Sequence, residues 1–193
     1  MSRTDIIDRA CHTLLDGRIN SARDILRTQY PFVPSVHRRK TFSKHESMRI
    51  FCRDAFVDRY SGMRLVNPGA LRVLSLALPD DFPYHPHGHM KSCHIAFWEL
   101  LPSVDHLVPL SRNGRDDDSN YVTTSMRRNV AKMESTLDEI GWRLHEPGDF
   151  HEWDGMSRWL MDYVDKNSHF LENSYVRDYY RATKRALNEV GDG

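Results

Sequence analysis

The sequence predicts an α+β fold in which a short β-hairpin runs directly into a helix, with further helices before and after it in the chain. Three observations carry this. Residues 104–110 (VDHLVPL) form an apolar run closed by Pro109, and residues 121–124 are again β-prone, with a polar loop containing Gly114 between them. Ser125 suits a helix N-cap, and the residues after it recur at helical spacing. Both ends of the chain show the same 3.6-residue periodicity.

Taken in order, Thr4 or Asp5 caps a first helix with Ile6, Ile7, Ala10, Cys11, Leu14 and Leu15 on one face, stopped at Gly17. Asn20 or Ser21 starts a second helix through Ile25 and Leu26, which ends before Pro31, so the two make a helical N-terminal hairpin. Residues 47–56 read as a helix leading into the turn RYSG, residues 71–78 as a Leu-rich helix, and 95–101 as a strand region. On the helix after Ser125, Val130 and Met133 are spaced to face a core, and Asn129 can face back toward the hairpin. Met156, Trp159, Leu160, Tyr163 and Val164, then Tyr175, Val176, Tyr179 and Tyr180, form aromatic helical stripes of the kind that build cores or a dimer surface.

With 193 residues and 39% hydrophobic content, the chain can bury a core, and no Pro/Gly/Ser linker divides it. We expect one main domain with a basic helical region at 1–46, a central region at 47–150 and C-terminal helices at 151–193. No apolar run is long enough to span a membrane and no signal peptide is evident. Three scattered cysteines fit a reducing compartment, so a cytoplasmic protein is expected.

Net charge is zero, but it is unevenly spread. Residues 1–64 hold 13 Lys/Arg against 7 Asp/Glu, residues 65–150 hold 8 against 12, and residues 151–193 hold 6 against 8. The basic footprint is therefore N-terminal, densest at Arg38, Arg39 and Lys40, with His37 and Lys44 flanking. Duplex DNA binding rests largely on such phosphate contacts. Arg127 and Arg128 form a second basic group, on the helix after the hairpin.

The chemistry-bearing pattern is Asp105-His106, followed by Asn120, Asn129 and Lys132, with the spacing D-H-x13-N-x8-N-x2-K. Neighbours on a strand point to opposite faces, so Asp105 and His106 can share a site only where the strand ends. A strand, loop, strand and helix so arranged would bring Asp105 and Asn129 together as oxygen ligands for one hard cation. Magnesium suits so sparse a site because it retains waters and borrows phosphate oxygens. A histidine beside it, with an ordinary pKa of about 6.5, can take a proton from water at neutral pH.

These residues resemble the HNH, or ββα-metal, endonuclease motif, including the form found in RNA-guided nucleases. The resemblance implies a ββα-metal core, with His106 as the water-activating base and Asp105 and Asn129 as metal ligands. It implies that Asn120 is the central asparagine, which fixes the hairpin and orients the histidine within the catalytic set. It places Lys132 near phosphate, and calls for Mg2+ or Mn2+ and for DNA as substrate; apart from the resemblance, one of Arg127 and Arg128 is expected to meet the cleaved phosphate by bidentate contact. The core of the similarity covers about 28 residues, and a wider likeness to bacterial members runs from Phe51 through Trp159. Many members also carry a structural zinc on two Cys-x2-Cys pairs. Here the first pair is replaced by Asp58-Arg59-Tyr60-Ser61-Gly62 and the second falls near Ser125 and Arg128, so that four-thiolate zinc is excluded. Packing by Phe97, Trp98, Trp142 and residues 71–78 is expected to support the hairpin instead.

A second cluster, His85, His87, His89, Cys93 and His94, is a candidate zinc site, against the plainer reading of a polar loop. Asp116, Asp117 and Asp118 read as a solvated loop. The leading expectation is a metal-dependent DNA endonuclease. The alternatives are a nuclease for structured or modified DNA or for RNA, a non-catalytic DNA-binding protein with a vestigial HNH fold, and a zinc-binding interaction module. One such site cuts one strand, so double-strand cleavage would call for a homodimer.

Overall fold

A computed structural model describes residues 1–32 and 41–191, with mixed helical and β structure and a single small antiparallel sheet among them. The chain separates into two compact units, 1–38 and 39–193. The expected boundary at residue 46 therefore moves: the segment leading into the third helix belongs to the second unit, as do the C-terminal helices.

The first unit is a helical hairpin of α1 (Arg3–Leu15) and α2 (Ile19–Gln29). Ser2, not Thr4 or Asp5, is the N-cap. Its hydroxyl accepts from the Asp5 N–H, and the Asp5 carboxylate accepts from the Ser2 N–H, a reciprocal capping box that satisfies two otherwise orphaned donors. Gly17, at φ +75°, makes the left-handed turn that stops α1. Ile6, Ala10 and Ala22 are buried between the helices.

The second unit is built on α3 (Lys44–Arg53), α4 (Pro68–Ala77), α7 (Ser157–Lys166) and α8 (Ser174–Gly191), with α5 (Ala96–Glu99), α6 (Met126–Lys132) and two strands, β1 (Pro102–His106) and β2 (Tyr121–Ser125), on the remaining side. Ser43 and Glu46 form a second capping box, which starts α3 several residues earlier than the sequence suggests. Met48, Phe51 and Cys52 of α3 pack with Phe56, Leu65, Ala182 and Ala186, and Val104 of β1 leans on the same cluster. A second cluster joins Ala70 and Val73 of α4 to Leu160, Val164, Phe170 and Val176, so the C-terminal aromatic stripes are largely core. Asn67, wholly buried, ties the helices together. Its amide donates to Ser157 Oγ and Thr183 Oγ1, and its oxygen accepts from the Gly69 N–H.

Residues 96–99 are a helical turn, not a strand, and Phe97 packs with Leu71 and Cys93. An apolar run this short has no period long enough to separate helix from strand. Among the described residues no helix is long and apolar enough to cross a membrane.

β1 and β2 pair antiparallel with Pro102 opposite Ser125, Val104 opposite Thr123 and His106 opposite Tyr121. Ser125 then caps α6, its hydroxyl accepting from the Arg128 N–H. Strand, loop, strand and helix thus follow one another as expected, but α6 is turned differently. Val130 is 56% and Met133 75% exposed, whereas Asn129 and Lys132 are buried. The inward face of this helix is polar because its partners lie on β1.

Candidate functional site

Period-2 alternation decides what β1 offers to each side. Val104 and His106 face α3, with Tyr121 and Thr123 beside them, while Ser103 and Asp105 face α6. The strand ends at His106, so an acid and an imidazole on opposite faces come together at one terminus. Both line a cleft of about 450 Å³ with Phe42, Leu101, Met126 and Tyr179 among its other walls.

On the α6 side, Asp105 Oδ2 accepts from the Tyr60 hydroxyl at 2.8 Å and lies 3.1 Å from Lys132 Nζ. Lys132 is wholly buried and its ammonium also donates to the His106 carbonyl at 2.8 Å. The expectation that Lys132 meets phosphate from the helix surface is therefore corrected: its charge is spent inside, on the strand end. Burial first, and then the charge and hydrogen bond of Asp105, push the Tyr60 phenol far above its usual range, so Tyr60 stays a donor.

Asn129 sends its amide Nδ2 to Ser103 Oγ at 2.6 Å and to the Val104 carbonyl at 3.2 Å, which seats α6 against β1. Asp105 Oδ1 and Asn129 Oδ1 accept no hydrogen bond from the described residues. Carboxylate and carboxamide oxygens are donor types that a hard divalent cation takes; Asp105 lines the cleft, while Asn129 is tied to Ser103 and Val104.

On the other side, His106 Nε2 lies 2.9 Å from Asp116 Oδ1, and the Tyr121 hydroxyl donates to the same oxygen at 2.8 Å. Asp116 is exposed, as a solvated loop residue would be, yet it also joins these two side chains. Asp117 accepts from Ser119 and pairs with Arg115, and Asp118 pairs with Arg49 of α3. Asn120 does not reach His106. Its oxygen accepts from the Val108 N–H and its amide donates to the Val108 and Arg115 carbonyls, so it staples the loop that carries Asp116. Its place in the catalytic set is corrected to a positioning one. Gly114 is required there: a Cβ would lie 1.8 Å from the Val108 carbonyl oxygen.

Two buried carboxylates tie the hairpin to the chain between α3 and α4. Asp58 Oδ1 accepts from Tyr60 N–H and Thr124 Oγ1, and its Oδ2 accepts from Ser125 N–H at 3.1 Å, with Arg128 Nε 3.8 Å away. Asp54 Oδ2 accepts from the Thr123 N–H at 2.8 Å and is flanked by Arg53 and Arg59. Asp58, Ser125 and Arg128 are among the positions that the HNH resemblance aligns with zinc-binding cysteines, and here a carboxylate clamp joins them. Trp142 is tilted against Tyr60 and lies under the Arg128 guanidinium, while Phe97 and Trp98 serve the 82–98 region.

Arg127 pairs with Glu99 at the surface, and Arg128 is half-buried over Trp142. Arg38, Arg39 and Lys40, with His37, lie outside the described residues. The rings of His85, His87 and His89 sit 4.4–6.3 Å apart, but Cys93 is buried with Leu71 and Phe97, and His94 stacks on Phe82. Cys93 and His94 are thereby removed from the five-residue candidate zinc set. Among the described residues, no three His, Cys, Asp or Glu side chains stand as a metal-holding group. An Asp–Asn pair is a different donor set.

No protein-family model, curated protein or solved structure matches this chain.

Proposed function

We propose that this protein is a metal-dependent endonuclease that hydrolyses phosphodiester bonds in DNA by an HNH-type mechanism, with β1, β2 and α6 as a ββα-metal core. One observation carries the reading: Asp105 and His106 straddle the end of β1, with Asn129 set against the same strand and a cleft beside them.

Asp105 and Asn129 would hold the cation. When bound, it supplies positive charge to the phosphate and to the leaving oxygen. His106 takes a proton from water as the water oxygen forms a bond to phosphorus and the opposite P–O bond breaks. The leaving oxygen takes its proton from solvent. Tyr60 and Lys132 fix the Asp105 carboxylate, and Lys132 also fixes the strand end through the His106 carbonyl. General-base catalysis of this kind is worth roughly 10²–10⁴-fold. The N-terminal basic run and Arg127 would supply phosphate contacts, and two copies would be needed to cut both strands. The three free cysteines suit a reducing, cytoplasmic setting.

A second reading, a non-catalytic nucleic-acid-binding protein, draws on one observation. Lys132 already supplies the counter-charge to Asp105 that a cation would provide. Incubation with supercoiled plasmid, branched duplex and RNA, with and without Mg2+ or Mn2+, separates the two. Cation-dependent cleavage lost in Asp105→Ala is the expected result, and the cleaved substrate identifies the nucleic acid class. Binding without cleavage of any of them would favour the second reading.

A further inference from the structure

The His106 base is held by a carboxylate on the loop between the strands. His106 and Tyr121 are cross-strand partners in the sheet register, so their side chains share one face, and their rings meet edge to face with centroids 5.2 Å apart. Both polar tips converge on one atom, Asp116 Oδ1, at 2.9 Å from His106 Nε2 and 2.8 Å from the Tyr121 oxygen. A phenol at neutral pH is a donor to a carboxylate, and an ionised carboxylate only accepts. The nitrogen facing Asp116 must therefore carry its hydrogen, and in a neutral imidazole the lone pair is then on Nδ1.

We propose that Asp116 is a positioning residue that fixes the His106 ring and its tautomer, so that Nδ1 is the nitrogen that accepts the proton from water. This rests on the nuclease reading of His106. Proton balance follows: Nδ1 gains the water proton, Nε2 keeps its own, and the imidazolium formed is stabilised by the Asp116 charge until Nδ1 releases the proton to solvent. Asp116 does not itself take up a proton.

The loop is built to keep Asp116 in place. Asn120 grips the Arg115 carbonyl, the residue before Asp116, and Gly114 lets the loop approach Val108 closely. The Phe42 ring stands edge-on to Tyr121, at 4.9 Å, and tilted to His106 at 6.4 Å. Among the described residues, the other charged groups about this site are Asp105 on the opposite strand face, Lys132 at the His106 carbonyl, Arg115 and Asp117 on the loop, Arg49 paired with Asp118, and Arg53, which donates to the Tyr121 carbonyl.

The test joins imidazole ¹⁵N NMR to cleavage kinetics on the full chain, with His106→Ala to assign the signals. Wild type is expected to show Nε2–H and unprotonated Nδ1 in the neutral ring. Asp116→Asn, nearly isosteric, is expected to mix the two neutral tautomers. It should also lower kcat about 10–100-fold, the usual effect of losing such an orienting partner, while leaving KM unchanged. Tyr121→Phe, which keeps the ring, should move both readouts less, in the same direction. Nδ1–H in the wild type, a tautomer indifferent to Asp116→Asn, an unchanged kcat, or faster cleavage in the variant would each overturn the proposal. The NMR result stands apart from the nuclease reading: a protein that cuts nothing yet shows the Asp116-dependent tautomer would sink that reading and leave the pair itself intact.

Discussion

Lys132 Nζ lies 3.1 Å from Asp105 Oδ2, and the lysine is completely buried while the aspartate side chain is 11% exposed. A buried ammonium is tolerated there because the Asp105 carboxylate and the His106 carbonyl accept from it, with the Tyr60 ring 5.7 Å away. Removing one partner of such a pair strands the other.

Lys132→Met, close in length and uncharged, should therefore lower the unfolding free energy by about 3–5 kcal/mol. Urea unfolding at neutral pH measures this. A loss below about 1 kcal/mol would mean that Asp105 is well solvated and the pair structurally idle.

Asp58 does for the hairpin what a structural metal does elsewhere, by gathering Tyr60, Thr124 and Ser125 about one buried carboxylate. Asp58→Ala leaves three donors without acceptors and should cost about 3 kcal/mol or more. A zinc-selective chelator should leave the melting temperature of the wild type unchanged, because the clamp needs no zinc. A melting temperature that falls in that chelator would contradict this.

Gly114→Ala forces a Cβ to within 1.8 Å of the Val108 carbonyl oxygen and 2.9 Å of Asn120 Nδ2. Backbone cannot yield as a side chain can, so the loop must move. We expect a loss of roughly 1–3 kcal/mol and, with Asp116 displaced, a fall in kcat that exceeds any rise in KM. An alanine variant with wild-type stability and rate would show that the loop does not hold the site.

Stability should fall on the alkaline side. Burial first, then the Asp154 and Glu189 carboxylates, push the Cys52 thiol from 9.0 to about 12. The unfolded chain releases this proton near pH 9 and the folded chain holds it to about 12. The stability that depends on it is complete below pH 9 and lost across that interval. Tyr60, also raised, adds a loss in the same direction above pH 10.0. Urea midpoints at pH 7, 9 and 10.5 should decline in that order, and a flat profile would count against both assignments.

The hairpin, the following helix and the Ser125 cap were legible because each has a local signal: β-prone runs, turn residues and a hydroxyl before a periodic segment. Asn120 and Asn129 were legible through spacing alone. What was hidden needs the third dimension. Val130 and Met133 have the spacing of a core face, yet α6 buries Asn129 and Lys132, since polar partners on β1 outweigh the apolar pattern. The acceptors Asp54 and Asp58 serve backbone N–H groups more than 60 residues away, and no sequence pattern reports such a bond. Asp116 looked like one of three solvated acids. Only the His106–Tyr121 register shows why it differs from its neighbours.

The central claim is that the end of β1 carries a phosphodiesterase base, and single-turnover cleavage of supercoiled plasmid in saturating Mg2+, wild type beside His106→Ala, tests it most directly. Nicking by the wild type with a rate at least about 10²-fold above the variant is the expected result. Equal rates, or no cation-dependent cleavage by a folded wild-type protein, would contradict it.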